Sequence, residues 1–252
     1  MESIVIDKKH YNFIIQYYGR IRLTFVFFKE VTTLIFDWDG TIVDSMFNKS
    51  EFYADALISM FPKLKQLRFR LQCQYIHSSG MPLGEQMKKA SEIFEFKIDN
   101  SQLNKAKLQF AKNQNNWLEK NDVKWFPSAQ EALKTLSKRY NLTISSSANK
   151  EEIIKNLSKQ KMEVFFKIVL GEAGTFHKGA PHFDYIKKLF NVSNKGMMFF
   201  GDSKYDMKVA KEVGITPIGI IGTLTRMELL QAGAEYTFNN WDELKSLLLT
   251  KS

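Results

Sequence analysis

Two hydrophobic patterns divide this chain. Leu34-Ile35-Phe36 is a short unbroken apolar run, the mark of a strand buried on both faces. From Phe47 to Trp117 the apolar residues recur at helical spacing instead, with Phe52, Ala56 and Met60 on one face and Leu64, Leu67 and Leu71 on another. Pro62 suits the first turn of a second helix, and Ser78-Ser79-Gly80-Met81-Pro82 breaks the pattern. A third helix is predicted from Leu83 to Phe94, and a fourth, capped by Asn100-Ser101, runs to about Leu118. Beyond Pro127, helix and strand alternate. Strands are predicted at Asn141 to Ser145, Phe165 to Leu170, Gly196 to Phe200, Ile215 to Ile221 and Tyr236 to Phe238. Helices are predicted at Ser128 to Lys138, Glu151 to Gln160, Pro181 to Phe190, Lys204 to Val213, Thr225 to Ala232 and Trp241 to Leu249.

That alternation predicts an α/β fold, a Rossmann-like parallel sheet with helices on both faces. The helical stretch is then an insert directly after the first strand. The expected division is an N-terminal extension of unassigned role (residues 1–30), an α/β core (31–45 and 124–252) and a helical insert (46–123).

Composition narrows the function. The net charge is +9, but the lysines are scattered and no arginine-rich tract occurs, which argues against dedicated nucleic-acid binding and leaves open an anionic surface or a site that attracts phosphorylated small molecules. The single cysteine, Cys73, has no internal disulfide partner and lies in a helical stretch, so it reads as a packing residue in a reducing, cytoplasmic setting. The four histidines make no zinc spacing. Leu23 to Phe28 is too short to span a bilayer, so no membrane partner is expected. Composition says nothing about oligomeric state.

The chemistry sits where the apolar runs stop. Asp37-Trp38-Asp39-Gly40-Thr41 follows the first strand, at the sheet edge where open α/β folds bind ligands. Two carboxylates one residue apart repel and want a cation or a shared proton, although a solvated Asp-Gly turn is the ordinary alternative. Gly201-Asp202-Ser203-Lys204-Tyr205-Asp206 repeats the arrangement. Gly201 allows a tight turn and close ligand approach, and Asp206 falls at the positive end of the next helix; simple capping explains Asp202 or Ser203 equally well. Ser145-Ser146-Ser147, before a helix carrying Lys150-Glu151-Glu152-Ile153, offers hydroxyls and N–H groups to an anion. Lys178, in Phe176-His177-Lys178-Gly179-Ala180-Pro181, is by itself a loop lysine.

Taken in order, Asp37/Asp39, Ser146, Lys178 and Asp202/Asp206 resemble the four-motif series of the haloacid dehalogenase-like hydrolases, and the resemblance runs from Val31 to the C-terminus. The insert resembles the helical cap of the phosphoglycolate phosphatase and β-phosphoglucomutase branches. The resemblance implies that Asp37 is a nucleophile forming an aspartyl phosphate, and that Asp39 is the acid/base. It implies Mg²⁺ held by Asp37, Asp202 and the Asp39 backbone carbonyl. Ser146, Ser147 and Lys178 would hold phosphoryl oxygens, and Gly40 and Thr41, grouped with these phosphate contacts, would shape the loop by which the cap opens and closes; Asp206 and Gly201 would support the metal loop, Asp206 alternatively pairing with Lys178. Gly80, Met81 and Pro82 would form the cap's specificity loop, a plain helix–helix turn being the alternative. Two departures stand out. Gly179 follows Lys178 where proline is frequent, and Trp38 replaces an aliphatic residue. A tryptophan there resembles phosphonoacetaldehyde hydrolases, but those lack the second aspartate, as do the haloacid dehalogenases. Asp39 therefore favours phosphate ester hydrolysis. The expected activity is a Mg²⁺-dependent phosphatase of a small phosphorylated metabolite, the alternatives being a phosphomutase or a non-catalytic binding protein.

Overall fold

A computed structural model describes residues 30–173 and 176–249. The extension assigned to residues 1–30 lies, except for Glu30, outside the described residues. Six parallel strands form one sheet: β1 (Thr33–Phe36), β2 (Asn141–Ser145), β3 (Phe166–Leu170), β4 (Met197–Gly201), β5 (Thr216–Ile220) and β6 (Tyr236–Phe238). Their spatial order is β3-β2-β1-β4-β5-β6, which places β1 at the centre and reverses the winding between β1 and β4. A crevice opens at the carboxyl ends of strands at such a switch point.

Ten α-helices are described. Four of them, α1 (Met46–Met60), α2 (Arg68–His77), α3 (Leu83–Ile93) and α4 (Asn100–Leu118), lie between β1 and β2. The others are α5 (Ala129–Leu136), α6 (Lys150–Lys159), α7 (Ala180–Phe190), α8 (Lys204–Glu212), α9 (Arg226–Ala232) and α10 (Trp241–Leu249).

Strand alternation splits the core in two. Leu34, Phe36, Leu142, Ile144, Met198 and Phe200 face α5, α6 and α10. Ile35, Met197 and Phe199 face α7 and α8. Phe36 stacks on Phe200 at 4.8 Å, and the Trp241 indole N–H donates to the Thr41 carbonyl at 3.1 Å, pinning the loop after β1 from beneath. The inserted helices keep a core of their own, built on Tyr53, Leu57, Leu64, Leu71 and Met87. Insert and sheet are joined by a narrow ribbon. Val43 bridges Trp125 antiparallel, and the Asp44 N–H donates to the Lys124 carbonyl at 2.8 Å.

Predicted and observed elements agree to within a residue or two at most boundaries. Two local details differ. Pro62 opens a 3₁₀ segment (Pro62–Leu67) before α2, not an α-helical turn. The cap of α4 is Asp99, not Asn100-Ser101: Asp99 Oδ1 accepts the Gln102 N–H and Gln102 returns the bond to the Asp99 N–H. Among the described residues, no helix is long and apolar enough to cross a membrane.

His182 on α7 is buried beneath the sheet edge, its Nδ1 3.0 Å from Ser145 Oγ. Burial, with Lys178 adding to it, lowers its pKa from 6.5 to about 4. The unfolded chain therefore binds this proton first as the pH drops. Stability from this site is complete above the unfolded value and is lost as pH falls towards the folded one, by on the order of 2–3 kcal/mol. Urea midpoints measured from about pH 7.5 to about pH 4.5 should show this slope in the parent protein and a flatter one in His182→Gln.

Candidate active site

β1 and β4 end side by side, with the Asp37 N–H donating to the Phe200 carbonyl at 2.8 Å. This register sets Asp37, just past β1, against Asp202 and Asp206 beyond β4. One oxygen from each of the three carboxylates lies within 4.8 Å of the others, and all three residues are buried. Lys178, itself 1% exposed, enters from the loop before α7. Its ammonium donates to Asp37 Oδ2 and to Asp206 Oδ1, each at 2.7 Å.

Charge here is tightly confined. Burial pushes the Asp37 carboxyl up to about 7, Lys178 opposing and Asp206 reinforcing the shift. Burial also raises Asp202 well above the usual carboxylate range, Asp206 and Asp37 adding to the rise. Burial works against the Lys178 ammonium too, but Asp206 and Asp37 prevail and its pKa lies above the ordinary lysine value. Three carboxylates face one ammonium, which leaves the cluster short of positive charge.

The acceptors are unevenly used. Asp206 is spent on the protein: Oδ1 takes Lys178, and Oδ2 takes the Ser203 N–H at 3.1 Å and hydroxyl at 2.6 Å. Asp37 Oδ1 takes the Trp38 N–H at 2.7 Å. Asp202 Oδ1 takes the Thr41 hydroxyl at 3.2 Å, while its Oδ2 is buried with no hydrogen-bond partner among the described residues. Gly40 makes room for that oxygen. At φ +73° it faces Asp202, and a Cβ there would stand 2.0 Å from Oδ2. An orphaned carboxylate oxygen beside a second carboxylate, at an uncompensated negative site, fits a hard divalent cation such as Mg²⁺.

Asp39 stands apart from this cluster. Its carboxylate turns toward the inserted helices, accepting the Ser45 hydroxyl and the Lys49 ammonium, each at 2.6 Å. The third carboxylate of the cluster belongs to Asp206; the part expected of Asp39 at a metal is that of its backbone carbonyl, not of its carboxylate. Gly40 and Thr41, grouped from sequence with the phosphate contacts, face Asp202 and are absent from the cavity wall. At Gly201 the Asp206 side chain comes close, 2.5 Å from where a Cβ would be.

A cavity of about 350 Å³ opens over Asp37 and Asp39, lined also by Ser146, Ser147 and Lys178 from the sheet side. The Ser146 hydroxyl accepts the Ala148 N–H at 3.2 Å and so keeps its proton for an anion, whereas its backbone N–H is committed to the Leu170 carbonyl at 3.0 Å. The inserted helices supply the roof, including Lys49, Tyr75, Gly80, Met81, Gln86 and Gln114. Pro82 caps α3 without lining the cavity. The roof is seated on the floor through Gly80: the Ser147 hydroxyl donates to its carbonyl at 2.6 Å, and a Cβ at Gly80 would lie 2.6 Å from Ser203 Oγ.

Sequence reasoning missed Lys49 and Glu152 as site residues. Lys49 sits among ordinary polar helix positions, and Glu152 entered only as part of a helix-start pattern. Their proximity to Asp39 becomes visible only once the insert is folded over the sheet.

Trp38 is wholly buried, edge-on to Trp125 at 5.5 Å beside the ribbon that joins insert and core. Gly179 adopts φ +114°, which a proline ring forbids, so this lysine loop follows its own path into α7.

A model of the haloacid dehalogenase-like hydrolases matches residues 34–220, and this chain belongs to that family. Solved structures share the fold. A hydrolase from Pseudomonas syringae is 21% identical, with 84% of this chain and 95% of that chain covered at a TM-score of 0.73. A predicted phosphoglycolate phosphatase from Haemophilus somnus is 19% identical, with 89% and 99% covered at 0.71. A candidate β-phosphoglucomutase from Bacteroides vulgatus is 14% identical, with 88% and 90% covered at 0.70. No curated protein matches this chain.

Gly80→Ala isolates the contact between roof and floor. The left-handed backbone there (φ +84°) costs alanine about 1–2 kcal/mol, and the methyl group pushes the loop off Ser203. Turnover of a phosphate ester should fall by about tenfold or more while the fold survives, as read by steady-state kinetics and a thermal melt.

Proposed function

We propose that the protein is a Mg²⁺-dependent phosphatase acting on a small phosphorylated metabolite through an aspartyl phosphate on Asp37. The observation that carries this reading is the buried set of Asp37, Asp202, Asp206 and Lys178, of which Asp37 and Lys178 line a cavity that Ser146 and Asp39 also line. Asp37 and Asp202 would hold the metal ion, which when bound supplies positive charge to the phosphoryl oxygens and to the nucleophile.

The protein's own groups divide the chemistry. An Asp37 oxygen attacks phosphorus, the ester P–O bond breaks, and the leaving oxygen keeps the electron pair and takes a proton from Asp39. Water then attacks the same phosphorus and gives its proton to Asp39. The bond from phosphorus to Asp37 breaks, its electron pair returns to the carboxylate, and inorganic phosphate departs. Lys178 offsets charge on Asp37 throughout, and the Ser146 hydroxyl donates to a phosphoryl oxygen. The cavity lies near the low end of the roughly 300–1,000 Å³ range of small-molecule sites, and its roof leaves room for a compact leaving group rather than a polymer.

With Mg²⁺ the parent protein should hydrolyse p-nitrophenyl phosphate and members of a panel of small phosphorylated metabolites. Asp37→Asn should lose on the order of 10³-fold or more. Chelation should abolish turnover and added Mg²⁺ restore it. Equal rates for the parent and Asp37→Asn would refute the assigned nucleophile.

A further inference from the structure

His182 is buried and takes no part in the reaction above. It stands in the first turn of α7, four residues past Lys178, and is 0% exposed. Leu142 and Ile144 of β2 face the other side of the sheet, so alternation turns Ser145 toward α7, where its Oγ lies 3.0 Å from His182 Nδ1. The layer between sheet and α7 is built mainly of apolar side chains, Ile35, Ile186, Met197 and Phe199 among them. At neutral pH two apolar groups of the same shape would serve stability there as well as a hydroxyl and an imidazole do. The polar pair adds direction instead, and it joins two loops of the site. Ser145 is followed at once by Ser146, which lines the cavity. Phe176, two residues before Lys178, packs its ring on the imidazole at 4.6 Å. The serine loop has little slack of its own: the Ser146 N–H is tied to the Leu170 carbonyl at 3.0 Å, and the Ala148 N–H to Ser146 Oγ at 3.2 Å. A displacement of Ser145 therefore passes directly to Ser146.

Building on the phosphatase reading, we propose that His182 is a positioning residue: through Ser145 it fixes the serine loop against the lysine loop, so that the Ser146 hydroxyl meets the phosphoryl group attacked by Asp37. A donor held in place before the reaction costs no reorganisation when charge develops, and a donor displaced by a fraction of an ångström loses much of its effect.

Replacing both partners, Ser145→Ala with His182→Leu, removes the link without leaving either group unpaired. The thermal midpoint of this double variant should stay within about 5 °C of the parent's. Its kcat/KM on p-nitrophenyl phosphate with Mg²⁺ should fall by about tenfold, and inhibition by inorganic phosphate should weaken by a similar factor. On a Ser146→Ala background the same two changes should cost less than about twofold, because the hydroxyl they position is gone. His182→Asn, whose amide nitrogen can stand where Nδ1 does, should recover most of the rate. If the double variant does not fold, Ser145→Ala alone, with and without Ser146→Ala, carries the test. A double variant as fast as the parent, or one that loses as much on the Ser146→Ala background as off it, overturns the inference, while an inactive Asp37→Asn beside an active parent upholds the phosphatase reading. Absence of turnover by the parent protein overturns that reading and this inference together.

Discussion

The site depends on one buried cation. Lys178 lies between Asp37 and Asp206 with both contacts at 2.7 Å and almost no exposure. Ionised carboxylates packed behind a sheet edge would otherwise repel and drag in water, and burial alone already pushes Asp37 and Asp202 toward neutrality. Removing one partner from such a group leaves a stranded charge, which is far costlier than never having built it. Asp206 therefore holds the lysine, and through it the lysine holds Asp37. Gly201 and the Ser203 cap of α8 fix Asp206 in turn.

Among the described residues, Gly80, Lys49 and Gln114 of the insert touch this charged floor. Gly80 rests on Ser147 and Ser203, so the roof contacts both the serine loop and the loop after β4. Lys49 reaches Asp39 and Glu152. Gln114 also reaches Glu152, and these contacts are polar, whereas the insert has its own apolar core. Separation of roof and floor would thus cost little buried apolar surface, and what it would break are the contacts that complete the cavity.

Much of the fold was legible because strands and helices write different periods. Leu34-Ile35-Phe36 and Met197-Met198-Phe199-Phe200 carry no polar break because each has helices on both sides. The main acidic residues were legible for a related reason: each follows directly on a buried run, where sheet geometry exposes side chains to a crevice. The use each carboxylate makes of its oxygens was not legible. Asp39 stands two residues from Asp37 yet turns to Lys49, while Asp206 reaches the cluster from the next helix. Such choices depend on contacts between Lys178 and Asp37, or Lys49 and Glu152, that span a hundred residues or more. Asp99, Asn100 and Ser101 are all able to cap a helix, and only backbone geometry selects Asp99.

The ribbon at Val43 and Trp125 bears on how the chain is assembled. β1 pairs with β2, which begins at Asn141, and with β4, which begins at Met197. During synthesis the first strand must wait for both neighbours. The four helices that follow it contain a self-sufficient apolar cluster and meet one another through local contacts, which form fast. The topology therefore favours a lid made before the chamber it covers, because its contacts are local whereas those of β1 span more than a hundred residues.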